Sequence, residues 1–343
     1  MNTLRWRDLR FALAWAMPWG IGTAAWYSPW AAWGVALGVL AGVAVLEWVL
    51  PSWRHSPAAR EPHPWFVACL RLHVLWQAGL LALGLLVARE QSSAAAVLAL
   101  GLAVGTTTGS QGITFAHELG HSRSRLDRTL GWALMISVGY AHFMVEHYRG
   151  HHVRAATADD PASARAGESL WRFLPRTLAG SWRSAWALEA QRLARHRQGW
   201  AHSPLAWAMV AQGAWIGVVA AVAGWQGLLF WGVQAAHAVW LLETVNYIEH
   251  YGLQRREVQG RPERFGVEHA WNADTLISNC LLANLQRHSD HHMHAGKPYA
   301  SLEPLPGPQL PTGYAGCIWL AMVPPLWFRV MHPRLDRWRL SPA

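Results

Sequence analysis

Histidines recur in short clusters whose spacing would let several imidazoles share one metal ion. His117 and His121 stand four residues apart in the string HELGH. His147 and His151 have the same spacing in EHYRGHH, where His152 follows directly. Residues i and i+4 lie on one face of an α-helix, so each pair can direct both rings at the same ion. The spacing therefore predicts metal binding at both clusters.

Two further clusters lie in the C-terminal part of the chain. The string NYIEHYG offers a single histidine, and LQRHSDHH places three at i, i+3 and i+4 of one helical surface. The nine candidate ligands are His117, His121, His147, His151, His152, His250, His288, His291 and His292. Since one such ion takes about six ligands at most, nine imidazoles predict two metal ions with coordination positions left open.

The ligand set narrows the choice of metal without deciding it. Imidazole suits zinc, copper, iron and nickel alike, but a structural zinc site closes with four ligands, often including cysteine. Cys69, Cys280 and Cys317 are far apart and form no CxxC pair, which argues against an iron–sulfur cluster or a disulfide framework. Nitrogen-rich ligands beneath apolar helices favour two redox ions that activate oxygen, with iron as our expectation. Electrons would then come from another protein.

Carboxylates within or beside the clusters are candidates for orienting the ligand rings. A ligating histidine usually donates its second N–H to a carboxylate or a carbonyl. The candidates are Glu118, Glu146, Glu249, Asp160 and Asp290. A bridging role between the two ions is the alternative for any of them.

The elements that must position these residues are membrane helices. Apolar residues make up 52% of the chain and charged residues 14%, whereas a soluble domain carries about 25% charged residues. The 24 tryptophans fit a protein that crosses the membrane–water interface. Six stretches are apolar and long enough to span, namely 11–26, 30–50, 65–87, 94–116, 205–223 and 225–245. We expect one all-α integral membrane domain over 1–343, with 129–145 as a buried or re-entrant helix beneath the site.

The arginine distribution predicts the orientation of these helices. The connections at 27–29, 89–93 and 224 hold one arginine between them, and nearly all other basic residues lie on the opposite side. By the positive-inside rule, the 51–64 loop and the segments 117–203 and 246–343 face the cytoplasm from the inner membrane. All nine histidines then lie on that side. This topology accounts for the net charge of +9, and without a basic recognition motif no nucleic acid partner is expected.

The motifs HELGH, EHYRGHH, NYIEHYG and LQRHSDHH resemble those of the membrane-bound alkane monooxygenases (alkane omega-hydroxylases). These belong to the fatty acid desaturase and hydroxylase superfamily, and the resemblance covers most of the chain from the third helix onward. It implies six transmembrane helices and a non-haem centre of two Fe ions (Fe2+/Fe3+) ligated by the nine histidines. It further implies terminal hydroxylation of n-alkanes to 1-alkanols with O2, using electrons from rubredoxin and an NADH-dependent rubredoxin reductase.

The chain departs from the pattern of this family at two positions near the clusters. Ser122 follows HELGH where lysine is usual, and Tyr148 replaces the common asparagine. These differences concern substrate size and the docking of the redox partner rather than the ligand set. Basic residues on the cytoplasmic side would suit an acidic partner. They are Arg123, Arg149, Arg154 and Arg287.

Other functions remain open at this point. A xylene-type methyl hydroxylase or a fatty acyl desaturase or hydroxylase would share the oxidant and differ only in the pocket. HELGH is also an HExxH string, the signature of zinc metalloproteases with Glu118 as general base. A protease would leave seven candidate ligands without a role. A non-catalytic metal-storage protein is the remaining class.

Overall fold

A computed structural model describes residues 4–55 and 63–340, and these residues are mostly helical. Residues 56–62 of the predicted 51–64 loop and residues 341–343 of the C-terminal segment lie outside the described part. The helices of the N-terminal half are α1 Ala16–Tyr27, α2 Pro29–Val49, α3 Pro64–Arg89, α4 Ala94–Thr107, α5 Ile113–His121, α6 Arg125–Ser137, α7 Phe143–Glu146 and α8 His152–Arg154. Those that follow are α9 Leu170–Arg195, α10 Pro204–His250, α11 Leu276–Leu281, α12 His288–Met293, α13 Tyr314–Ala321 and α14 Pro324–Leu340.

Shorter elements complete the described chain. Two π-helical segments, Thr108–Gly112 and His147–His151, join α4 to α5 and α7 to α8. The 3₁₀ helices are Trp6–Trp15, Trp200–His202, Val267–His269 and Tyr299–Ser301. Strands β1 Glu257–Val258 and β2 Arg261–Pro262 form one antiparallel pair.

Four helical stretches are long and apolar enough to cross a membrane, judged by length and composition. Among the described residues these are Pro29–Val49, Pro64–Arg89, Ala94–His121 and Pro204–His250. The last is interrupted by non-helical backbone at Ala223 and Gly224, where Gly224 has a φ of 55°, so it supplies the two predicted segments 205–223 and 225–245. Predicted segment 11–26 is divided between a 3₁₀ helix and the 12-residue α1. The count of six spans and their orientation stay predictions.

The two halves of α10 fold back on each other. Thr177 and Ala185 of α9 are about 12 Å apart along their helix, whereas Glu243 and Leu205 would be about 57 Å apart in a straight α10. Thr177 nevertheless donates a hydrogen bond to Glu243, and Ala185 packs in one buried cluster with Leu205. Both contacts require the chain to reverse at Gly224. The start and the end of α10 therefore lie at the same side of the bundle.

Close packing against α10 sets the position of the helix that carries the first histidine pair. A Cβ atom added at Gly105 would lie 2.8 Å from the carbonyl oxygen of Gln234, and one at Gly109 would lie 2.7 Å from Cα of Ala238. Glycine at these positions lets the two backbones approach closely, as small residues do between membrane helices. His121 at the end of α5 and His250 at the end of α10 are thereby held at the same end of the bundle.

The apolar stretch 129–145 is not one helix. α6 ends at Ser137, and α7 begins only at Phe143. Gly139 between them has a φ of 73°, in the left-handed region that favours glycine. The four residues of α7 are all buried, and α7 leads directly into the second histidine cluster.

Candidate metal centre

All nine predicted histidines converge in the fold, where they form two adjoining groups. The five-histidine group contains His117, His121, His147, His152 and His291. The four-histidine group contains His151, His250, His288 and His292. Within each group the potential ligand nitrogens lie within 4.8 Å of one another.

The spacing of the ring nitrogens fits metal coordination. Nε2 of His291 lies 2.9 Å from Nε2 of His117 and 3.2 Å from Nε2 of His152. In the four-histidine group, Nε2 of His288 lies 3.2 Å from Nε2 of His250. Two nitrogens bound at right angles to one ion, with bonds of about 2.1 Å, are about 3.0 Å apart. Each group therefore has the donor chemistry and the dimensions of a metal site.

The π-helical turn changes which histidines of the second cluster lie in the same group. In an α-helix, His147 would pair with His151 on one face. The π-helix over these residues adds one residue to each hydrogen-bonded turn. His147 consequently pairs with His152, with 2.9 Å between their Nε2 atoms, while His151 joins the four-histidine group. The i, i+4 pairing expected here is wrong, although both residues belong to the centre.

Helix α12 also contributes to both groups. His288 and His292, four residues apart, belong to the four-histidine group, and His291 belongs to the five-histidine group. The ring centroids of His292 and His152 are 4.5 Å apart across the boundary between the groups. The two groups thus form one continuous cage of imidazoles. His117 and His121, by contrast, share a group as their i, i+4 spacing predicts.

Burial favours the neutral form of the cage histidines that lie outside the membrane helices, and this is the form that binds a metal ion. It lowers the pKa of His147, His291 and His292 well below the usual value, and neighbouring imidazoles lower it further. These rings are neutral at pH 7, and a neutral ring nitrogen is the form that binds a metal ion.

His151 is the exception, because it has an acidic partner. Burial alone would lower the pKa of His151, but the charge and hydrogen bond of Asp160 outweigh it and raise that pKa. Burial would likewise raise the pKa of Asp160, and the contact with His151 reverses this and lowers it. Nδ1 of His151 lies 2.9 Å from Oδ2 of Asp160, and both side chains are buried. This contact leaves Nε2 of His151 free to face an ion.

Two other rings of the cage have a polar group near Nδ1. Oε1 of Glu249 lies 3.2 Å from Nδ1 of His288 and accepts a 2.6 Å hydrogen bond from the hydroxyl of Tyr314. Nδ1 of His250 lies 3.2 Å from the backbone carbonyl oxygen of His269. No sequence pattern pointed to His269, because the partner is a backbone atom.

The remaining three predicted carboxylates bind other groups. Oε1 of Glu118 accepts the backbone N–H of Tyr299 at 3.0 Å. Glu146 accepts a 2.7 Å hydrogen bond from Arg154. Asp290 accepts a 2.7 Å hydrogen bond from Lys297. They tie the surrounding segments together instead of touching a ring of the cage.

An apolar cavity lies among α2, α10, α11 and α13. Its wall includes Val39 and Val43 of α2 together with Leu241 and Val245 of α10. It also includes Thr114, one turn before His117, and Tyr314, which bonds Glu249 behind His288. The cavity wall thus contains one residue a helical turn away from the five-histidine group and one that contacts the four-histidine group through Glu249.

The part of the chain that holds the histidines also matches known proteins. The model of the fatty acid desaturase family matches residues 92–321, which include all nine histidines. The chain belongs to the fatty acid desaturase family.

Within this family the chain is similar to alkane 1-monooxygenases. It is 44% identical to alkane 1-monooxygenase 1 of Pseudomonas aeruginosa over 239 residues, covering 68% of this chain and 62% of the relative. It is 40% identical to alkane 1-monooxygenase of Acinetobacter baylyi over 256 residues, covering 73% and 62%. The xylene/toluene monooxygenase hydroxylase component XylM of Pseudomonas putida is 28% identical over 241 residues, covering 69% and 64%. The chain thus spans less than two thirds of the length of these relatives.

One buried carboxylate near the candidate metal centre of this desaturase-family chain was not predicted from the sequence. Glu243 of α10 accepts 2.8 Å hydrogen bonds from the hydroxyls of Tyr140 and Thr177, and a 3.2 Å bond from Asn246. It ties α9 and the turn before α7 to the helix that ends at His250. A carboxylate inside an apolar span is costly unless it has such a role. The position of Glu243 in the apolar segment 225–245 could therefore have identified it from the sequence.

Proposed function

We propose that this chain is a non-haem di-iron monooxygenase of the membrane, which hydroxylates the terminal methyl of n-alkanes to 1-alkanols. The supporting observation is the cage of two adjoining groups of buried imidazoles, with ring nitrogens 2.9–3.3 Å apart. The overall reaction joins alkane, O2, two electrons and two protons to give alcohol and water. The nine histidines are the proposed iron ligands, five for one ion and four for the other.

The residues of this chain hold and orient the metal pair. When bound, the irons supply the activation of O2 that an unactivated C–H bond requires. Asp160 holds the tautomer of His151, Glu249 stands behind His288, and the carbonyl of His269 fixes His250. Burial of the cage excludes bulk water from the reacting atoms.

The apolar cavity is the proposed alkane site. Its lining is mostly valine, leucine and isoleucine of α2, α10, α13 and the segment from α11 to Leu285, with few polar groups. Such a lining suits an alkane, which forms no hydrogen bonds. An alkane enters it from the lipid. We propose that the terminal methyl lies at the end of the cavity beside Thr114, which lies one helical turn before His117.

The proposed electron donor is rubredoxin, reduced by its reductase, and it docks where the cage comes nearest to solvent. His121 and His152 are half-buried there. Val153 and Met293, which directly follow His152 and His292, are 63% and 40% exposed, and we propose them as the apolar part of the docking face. Exposed Arg123 provides charge for an acidic partner.

The arginines expected at this face do not all reach it. Arg149 is exposed and Arg154 is half-buried against Glu146. Arg287 is buried and donates to the backbone carbonyls of His55 and Leu302. A role for Arg287 in docking is therefore wrong, and it instead holds the segment before His288 against its neighbours.

The proposed location is the inner membrane, with six spans and the cage towards the cytoplasm. The arginine distribution supports this orientation. The fold-back of α10 supports the pairing of its two halves as neighbouring spans, because both ends of α10 contact α9.

The function is tested by identifying products from membranes that contain this chain, rubredoxin, its reductase and NADH. Octane and hexadecane are expected to give 1-alkanols, and His288→Ala is expected to give none while still inserting. His196→Ala, at an exposed position outside the cage, is the matched control and retains activity. Oxidation of xylene but not alkanes, or a double bond introduced into a fatty acyl chain, would assign the alternative family activities. Activity in His288→Ala would refute the ligand set.

A further inference from the structure

Helix α9 exposes a strip of large apolar side chains along one side. Trp171, Leu178 and Trp182 are 50%, 38% and 42% exposed. At about 100° per residue, these three positions fall within about 40° of one another around the helix. Over this stretch the helix is packed on its other side through buried Phe173 and Thr177, and after Trp182 the strip ends at buried Ala185. Three large apolar groups in one line are unusual on a water-facing surface.

A basic strip runs beside this apolar strip. Arg172 and Arg183 are both exposed and lie about 100–120° round the helix from Trp171. The only acidic residue in α9 is Glu189, which is buried and accepts hydrogen bonds from Arg149 and Arg192. The exposed surface of α9 therefore combines an apolar strip with positive charge and carries no acidic group.

Contacts with α10 fix where α9 lies relative to the membrane. Thr177 bonds Glu243 near the end of the second half of α10, and Ala185 packs with Leu205 at the start of the first half. Since both of these sites lie at the cage end of the α10 hairpin, α9 crosses the spans at the depth where they leave the membrane. Trp207, two residues after Leu205 in α10, is 61% exposed, so large apolar side chains are exposed on both helices near this contact.

We propose that α9 is an interfacial helix that binds anionic phospholipid on the cage side of the membrane. Trp171, Leu178 and Trp182 enter the boundary between headgroups and acyl chains, and Arg172 and Arg183 contact lipid phosphates. This arrangement matches amphipathic helices that lie in the plane of the interface. It places part of the predicted cytoplasmic segment 117–203 within the lipid interface, and it is independent of the reaction that the cage performs.

The test uses the full-length chain in lipid nanodiscs, with an environment-sensitive fluorophore on one engineered cysteine. Leu178→Cys reports the apolar strip. Ala187→Cys, also exposed but about 180° round the helix from Leu178, is the matched control. The native cysteines Cys69, Cys280 and Cys317 are buried, and the labelled parent chain measures any background. Iron content and elution volume show that each variant is folded.

We expect the label at 178 to be quenched by lipids brominated in the upper acyl chain and shielded several-fold from aqueous iodide. The label at 187 should show the reverse. Equal iodide quenching at both positions would overturn the proposal, because the strip would then face water. Shielding at 178 that appears only with two chains in each disc would also overturn it, since a second copy would be the occupant.

The charge half of the proposal has its own measurement. Brominated phosphatidylglycerol should quench the label at 178 several-fold more effectively than brominated phosphatidylcholine at equal content. Adding Arg172→Gln and Arg183→Gln should remove that preference while phosphatidylcholine quenching stays unchanged. Equal quenching by the two lipids in the parent variant would contradict a site for anionic headgroups.

Discussion

Removing the carboxylate of Asp160 should weaken one metal site and spare the other. In Asp160→Asn the isosteric amide remains near Nδ1 of His151, now 2.9 Å from Oδ2, but the negative charge is lost. A carboxylate that stabilises the single charge of an imidazolium stabilises a divalent ion on the same ring more strongly. Loss of such a partner costs about 10–100-fold in metal affinity, or about 1.4–2.7 kcal/mol.

The pH dependence of metal uptake should change with it. The pKa of His151 is raised by Asp160, so metal binding to the parent protein displaces a proton from His151 as the pH falls towards that pKa. Without the carboxylate, burial lowers the pKa and His151 stays neutral to lower pH. The affinity of Asp160→Asn should therefore be lower at neutral pH but fall less steeply with acidification.

The assay is anaerobic titration of chelator-stripped protein with Fe2+ or Co2+ in a competition format that resolves two equivalents. Only the equivalent bound by the four-histidine group, which contains His151, should weaken, and the other should change little. Asp159→Asn, at an exposed neighbouring position, is the control and should match the parent protein. Equal weakening of both equivalents, or none of either, would refute the assignment of Asp160.

Three further changes probe the scaffold and the donor face. Gly109→Val places a side chain where a Cβ would already lie 2.7 Å from Cα of Ala238. It should lower the free energy of unfolding by at least about 1–3 kcal/mol, so that the thermal midpoint and the iron content both fall. Gly38→Val, where the space is open, should leave both unchanged. Glu243→Ala leaves the hydroxyl of Tyr140 and the other buried donors to Glu243 without an acceptor. It should lower the free energy of unfolding by at least about 1–3 kcal/mol, measured as a thermal shift. An unchanged midpoint would show that Glu243 does not hold these segments together. Arg123→Gln should raise the KM for rubredoxin several-fold at low salt with kcat unchanged, and the difference should shrink as salt screens the charge; an equal KM would move the docking face elsewhere.

Spacing alone identified nine histidines that the fold brings together, but not how they divide between the two groups. The i, i+4 rule assigned His117 and His121 correctly because α5 is a regular α-helix. It failed for His147 and His151 because the segment is π-helical, and nothing in the local sequence distinguishes that turn from an α-helical one. The sequence also could not predict which carboxylate contacts which histidine, because the contact of Asp160 with His151 depends on the fold of the intervening loop.

The helices of the scaffold could be predicted where the length of an apolar segment indicates a span. The turn expected at Gly224 is present, because glycine in the left-handed region reverses an otherwise continuous apolar stretch. Burial of charged residues was harder to anticipate. Arg287 looks like a surface arginine in the sequence, yet the carbonyls of His55 and Leu302, distant in the chain, satisfy its guanidinium inside the protein.

The metal content of the purified chain tests the central claim most directly. We predict about two irons per chain in the parent protein, in keeping with the two histidine groups. His291→Ala removes a ligand of the five-histidine group and His292→Ala one of the four-histidine group, so each should lose iron preferentially from its own group. One zinc per chain, bound by His117 and His121 and unaffected by either substitution, would contradict the account.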